Sequence, residues 1–120
     1  MIPAFWERIK TPGKLYGILF LELLEKYGLT QLEADILLFL ANNPDYDTAR
    51  DMAEIRRLSK SHLSVGIDTL VRRGLLERFF RDGNRKIIHL RLTPAAAPII
   101  EEGRAVQCRY GEILFNGFSG

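Results

Sequence analysis

Midway along the chain a helical repeat gives way to a hairpin with no linker between them. From Ser59 to Arg73, the residues Leu63, Ile67, Leu70 and Val71 recur at i, i+4, i+7 and i+8, the spacing of one helix face. Ser59 supplies a capping hydroxyl at the start, and Gly74 closes the end. Directly afterwards Leu75–Phe80 and Arg85–Leu92 read as strands rich in Ile, Phe and Leu, with Asp82-Gly83-Asn84 between them as a hairpin turn signal. The ribbon therefore begins where the helix ends, and its tip is basic.

Three helices precede this unit and one follows it. Pro12-Gly13 should interrupt the first segment, leaving a loose arm up to Thr11 and a helix over Lys14–Tyr27. Leu15, Ile18, Leu19, Phe20, Leu21, Leu23 and Leu24 make that helix apolar nearly all round, so it must be covered on most sides. A chain of 120 residues has little to cover it with, which hints at a partner subunit. Gly28 ends the helix, and Thr30 with Glu33 forms a capping box for the second, whose apolar positions are Leu32, Ile36, Leu37, Leu40 and Ala41. Asn42-Asn43-Pro44 stops it. Asp47 or Thr48 caps a short third helix over residues 48–55, with Met52, Ala53 and Ile55 facing inward. Thr93-Pro94 opens the last helix, threonine as cap and proline at the first position, and Pro98 loses one further backbone bond near that start. Ile99, Ile100, Val106, Ile113, Leu114, Phe115 and Phe118 supply its apolar face.

The expected fold class is mainly α with a small β-hairpin wing, in a single domain. Residues 29–93 form a winged helix-turn-helix lobe, and residues 1–28 and 94–120 are helical segments suited to dimerisation. A core of this size needs neither disulfides nor metal. With one cysteine, Cys108, no internal disulfide can form. The first residues show no basic leader followed by an apolar run and a cleavage site. The apolar stretch from Leu15 to Leu24 is broken by Glu22 and is too short to span a bilayer. The expected location is cytoplasmic, without a membrane partner.

Net charge is only +2, but it is unevenly placed. Residues 50–91 hold eleven Lys/Arg against five Asp/Glu, while both flanks are slightly acidic. A basic middle between acidic ends suggests a focused anion-binding surface.

Two short helices joined by a tight turn, then a hairpin, make a helix-turn-helix with a wing. A major groove admits one helix, so the second helix must be polar on the side away from its core stripe. Helical spacing puts Ser61, Val65, Asp68, Thr69 and Arg72 on that side, with His62 and Ser64 at its edges. The N-terminal residues Lys60, Ser61, His62 and Ser64 would reach deepest. Hydroxyls and an imidazole suit base edges, and Lys60 and Arg72 suit phosphates. At the hairpin tip, Arg81, Arg85 and Lys86 could reach the backbone or a minor groove, where arginine is favoured. The implied partner is double-stranded DNA.

In this order the residues resemble the MarR family of bacterial winged-helix regulators. The resemblance runs from about Leu29 to Pro94, and more loosely through the last helix. It is carried by Leu29-Thr30 with Glu33 and Ile36-Leu37, and by Leu58 to Ser64 leading into Asp68, Leu70 and Arg72-Arg73-Gly74-Leu75-Leu76. Asn84-Arg85-Lys86 and Leu90-Arg91-Leu92-Thr93-Pro94 complete it. The resemblance implies a homodimer with intertwined terminal helices, a recognition helix in each of two successive major grooves and a wing arginine in the adjacent minor groove. Carried over, Ser61, His62, Ser64 and Val65 read bases, and Arg85 is the wing arginine. It further implies a transcription regulator, a repressor by expectation, and a small-molecule effector lodged between the dimer arms and the DNA-binding lobe.

Three departures stand out. Val65 replaces an arginine that many members carry, and valine can touch a thymine methyl but cannot donate to guanine. The wing reads Asn84-Arg85-Lys86 where members have Asp-Arg-Arg, which weakens a brace that Asp82 could replace. The sequence stops at Gly120, short of a further helical stretch that builds the family's dimer interface.

Other chemistries find little support. His62 and His89 are far apart and no Cys-x-x-Cys or His-x-x-x-His spacing exists, so neither a metal nor another cofactor is expected. His89 reads as a strand residue packed against the core or the last helix. Cys108, beside Arg109, reads as a packing residue rather than a redox switch. No nucleophile elbow, phosphate loop or paired carboxylate points to an enzyme, and Glu101-Glu102 reads as a solvated helix face. The alternative from another class is a winged-helix module that docks proteins. The basic midsection and the outward Ser61, His62 and Ser64 argue against it.

Overall fold

The helix starts follow from local hydrogen bonding. The Thr30 hydroxyl accepts from the Glu33 N–H at 3.1 Å, and the Glu33 carboxylate accepts from the Thr30 N–H at 3.0 Å, closing the expected capping box. Thr48 caps the next helix by accepting from the Asp51 N–H at 3.1 Å, which leaves Asp47 free of that task. Ser59 caps the one after, through the His62 N–H.

The computed structural model describes residues 12–117. In chain order these are α1 (Pro12–Tyr27), α2 (Gln31–Asn42), α3 (Ala49–Arg56), α4 (Lys60–Arg72), β1 (Leu76–Arg81), β2 (Asn84–Leu92) and α5 (Ala97–Glu112). A single 3-10 turn, Pro94–Ala96, precedes α5, and a π-type turn, Ile113–Gly117, follows it. The expected arm up to Thr11 and the apolar Phe118 lie outside the described residues.

The core gathers around α2, which buries Ala34 and Ile36 through Leu40. Phe20 of α1, Met52 of α3, Leu63 and Leu70 of α4 and Leu76 of β1 are fully buried beside it. Gly66 lets α4 lie close: a Cβ there would stand 2.9 Å from the Ile36 Cδ1. That close contact sets the distance at which α4 is held, with its opposite side facing solvent.

The two strands pair antiparallel from Leu76 opposite Leu92 to Arg81 opposite Asn84. The connection is the two-residue Asp82-Gly83, with φ of 51° and 73°. Two successive left-handed residues match the right-handed twist of a hairpin, and Asp-Gly is suited to them. Asn84 therefore belongs to β2 rather than to the turn.

Three local expectations are corrected. Ile55 is 51% exposed rather than facing inward, although Met52 and Ala53 of the same helix are buried. Thr93 does not cap a helix: its hydroxyl donates to the Gly74 carbonyl at 2.6 Å, tying the end of β2 to the end of α4. Glu102 is not simply solvated. Its carboxylate accepts from the Tyr27 hydroxyl and, at 2.9 Å, from Lys26, joining α5 to the end of α1. The Tyr27 hydrogen bond, followed by Lys26, holds the Glu102 carboxyl below the usual range.

Helix α1 buries Leu15, Phe20 and Leu23 but leaves Leu21 half exposed. At the other end Leu114 and Phe115 are also exposed. The radius of gyration, 16.1 Å, exceeds the roughly 13 Å of a compact chain of this length, and the longest extent is 57 Å.

Candidate nucleic-acid interface

The outward side of α4 is an uncommitted surface. Lys60, Ser61, His62, Ser64 and Val65 are all exposed. Val65 is 66% exposed, an apolar side chain on the solvent side of the helix. Among the described residues, no side chain of Lys60, Ser61, His62 or Ser64 has a hydrogen-bond or ion-pair partner within the chain. Farther along, Asp68 and Thr69 are engaged. Asp68 pairs with Arg78 of β1, and the Thr69 hydroxyl donates to the Val65 carbonyl at 3.1 Å while accepting from Arg72 at 3.2 Å. Arg72 thus lies along its own helix.

The hairpin stands beside α4. The Asp68–Arg78 pair joins the two, and Ser64 and Ile67 share a shallow groove with Arg78, Ile88 and Leu90. At the tip, Arg85 and Lys86 are exposed and have no ion-pair partner among the described residues. The Arg85 guanidinium lies 5.6 Å from the Phe80 ring centroid, a cation–π contact that props it outward. Asn84 fixes the turn by accepting from the Lys86 N–H at 2.8 Å. In place of an aspartate bracing an arginine, this position braces backbone.

A wing arginine is braced nevertheless, from an unexpected direction. Asp82 has no hydrogen-bond partner among the described residues. Asp47, in the loop between α2 and α3, accepts from Arg81 at 2.6 Å through one carboxylate oxygen. Its other oxygen is 2.8 Å from the His89 Nδ1, and its carbonyl accepts from the Leu90 N–H at 2.8 Å. His89 therefore packs on Asp47 and, at 5.5 Å between centroids, on Phe79, not on the last helix. Two more cations are tied. Arg91 bonds Glu77, and Arg73 donates to the carbonyls of Tyr27 and Gly28, closing the C-terminus of α1. Sequence reasoning missed Asp47 because its partners lie 34 and 42 residues away.

The structure thus brings Lys60, Ser61, His62, Ser64 and Val65 together on the exposed side of α4 and sets Arg85 and Lys86 at the hairpin tip. Arg72 lies about two turns beyond Val65, at the other end of the helix. Among the described residues, no group of three or more His, Cys, Asp or Glu side chains could hold a metal ion. Cys108, expected to pack, is exposed on α5.

Comparison with known proteins adds an independent finding. A family model described as "MarR family" matches residues 27–86. Among solved structures, the chain is similar to the transcriptional regulator PA3341, with 25% identity, a TM-score of 0.77, and coverage of 98% of this chain and 83% of that one. It is similar to MepR of S. aureus in a MepR–DNA complex, with 19% identity, a TM-score of 0.68, and coverage of 98% and 85%. It also matches ZitR of Lactococcus lactis, a zinc-responsive MarR family member, with 21% identity, a TM-score of 0.65, and coverage of 72% and 58%. No curated protein sequence matches it significantly.

Proposed function

The chain belongs to the MarR family and has the winged-helix DNA-binding fold of its transcriptional regulators, and on that premise we propose that it is a sequence-specific double-stranded DNA-binding repressor and not an enzyme. Helix α4 enters the major groove and the hairpin lies on the adjacent minor groove. The observation that carries this reading is the outward side of α4, where Ser61, His62, Ser64 and Val65 are exposed and unpartnered in the middle of an otherwise well-bonded lobe. Polar groups left free beside cations are what base edges and phosphates require. Lys60, Arg72, Arg85 and Lys86 supply salt-dependent attraction, and the first four residues supply discrimination.

The proposal extends to a homodimer in which residues 1–28 and 94–120 hold the two copies together and residues 29–93 form each DNA-binding lobe. The exposed Leu21, Leu114 and Phe115 support it. The proposal includes a small-molecule effector lodged between the dimer arms and the DNA-binding lobe. No helix among the described residues is long and apolar enough to cross a membrane. A repressor acting on DNA places the protein in the cytoplasm.

The test is selection from a pool of randomised duplex DNA, followed by anisotropy titration at two salt concentrations. A palindromic site with half-sites about one helical turn apart, bound less tightly at higher salt, is the expected result. His62→Ala and Val65→Ala should then change the selected sequence. Absence of any enriched sequence would overturn the proposal.

A further inference from the structure

Among the described residues only two charged side chains are buried, Glu33 and Asp47. The capping box accounts for Glu33. Nothing in the helix ends accounts for Asp47, since Thr48 caps α3. We infer that Asp47 is a positioning residue for the wing: it fixes where the hairpin tip stands and keeps Arg81 from acting as a free phosphate-binding cation. The inference rests on the proposed reading that the wing contacts DNA.

The geometry is specific. One carboxylate divides its oxygens between the two strands, Arg81 of β1 at 2.6 Å and His89 of β2 at 2.8 Å. A two-stranded ribbon is marginal by itself and free to twist. Held from both strands at one buried point, it stands in one place before DNA arrives, which removes an ordering cost from binding. Arg81 immediately precedes the turn, and its side chain is 54% exposed. Without the carboxylate it would be a cation at the tip able to follow any phosphate, whatever the sequence. The backbone bond from Leu90 to the Asp47 carbonyl is independent of the side chain, so the loop stays docked when the carboxylate is changed.

Asp47→Asn keeps the shape and removes the charge. The probes are the duplex enriched from a randomised pool by the unsubstituted protein and a scrambled duplex of the same base composition. Affinity for the enriched duplex should fall about tenfold, the low end of a charge-assisted hydrogen bond's worth. Affinity for the scrambled duplex should hold or rise, with a salt slope steeper by about one phosphate contact. Arg81→Gln is the second variant, and decides alone if Asp47→Asn does not fold. It should lose discrimination without steepening the slope, and the double variant should be no worse than the worse single one. A proportionate loss on both duplexes would mark a purely structural role and overturn the inference. So would unchanged discrimination in Arg81→Gln, while leaving the wing reading intact. If Arg85→Ala also leaves affinity unchanged, the wing reading falls and takes the inference with it.

Discussion

The outward side of α4 and the hairpin beside it hold their polar groups in opposite ways. On α4, Lys60, Ser61, His62 and Ser64 face solvent without a side-chain partner among the described residues. In the hairpin, Arg78 is paired with Asp68, Arg81 with Asp47 and Arg91 with Glu77, leaving Arg85 and Lys86 at the tip. Arg73, between the two, is engaged with backbone carbonyls of α1. A surplus of six positive charges over residues 50–91 therefore overstates the cations ready for phosphate. A paired arginine must give up its carboxylate before it can serve DNA, and exposed pairs contribute little to stability in return. What they do contribute is direction: the paired cations fix the hairpin, and the unpaired ones are what it presents.

The largest expected effect tests whether α4 truly has two faces. Leu70 is fully buried, so Leu70→Ala should cost about 2–5 kcal/mol in urea unfolding. Val65→Ala, on the other side, should stay within about 0.5 kcal/mol while altering the preferred DNA sequence. Comparable losses at the two positions would break the division. The next effect separates free from paired cations. Arg85→Ala should lower DNA affinity about tenfold at moderate salt and reduce the salt slope by about one. Arg91→Ala, whose partner is Glu77, should change it by less than about twofold. If the two variants weaken binding equally, the pairing seen in the hairpin has no bearing on DNA.

Legibility in the sequence follows the range of the interaction. The caps at Thr30, Thr48 and Ser59, the Asp82-Gly83 turn and the stripe of Leu63, Ile67 and Leu70 depend on neighbours within eight residues, and the sequence displays them. The outward set on α4 was legible for the same reason, being the complement of that stripe. Asp68 is outward as its helical spacing requires, but only the structure sets Arg78 beside it. Asp47 was one of two candidate helix caps, and that role belongs to Thr48 instead. Its actual partners come into reach only once the hairpin is folded against the α2–α3 loop. Thr93 departs likewise: it stands at the cap position of the 3-10 turn, but its hydroxyl donates to the Gly74 carbonyl at the end of α4 and accepts no N–H from the turn. Gly66 carried no signal at all, since the Ile36 side chain that demands it lies on another helix.

The same distinction between held and unheld charge can be sharpened on the acidic side, where the expected effects are smallest. Glu102 is held by Tyr27 and Lys26, and its folded pKa is lowered. Asp35 of α2 accepts one hydrogen bond from Gln31 at 3.0 Å, but burial dominates and raises its folded pKa. The linkage signs are opposite. Glu102 stabilises the fold above the ordinary glutamate range and loses that contribution as pH falls through its lowered pKa. Asp35 penalises the fold wherever it is ionised, and the penalty is relieved as pH falls through its raised pKa. Glu102→Gln should therefore lower the melting temperature near neutral pH, and Asp35→Asn, which keeps an oxygen for Gln31, should raise it. Each shift should be no more than a few degrees. The Asp35 effect should fade as the pH falls through its raised pKa, and the Glu102 effect as the pH falls below the ordinary glutamate range through its lowered one. Circular dichroism melts of the three proteins from about pH 3 to about pH 7 read this directly. If Asp35→Asn also lowers the melting temperature at neutral pH, its carboxylate is held by more than Gln31, and the contrast with Glu102 is lost.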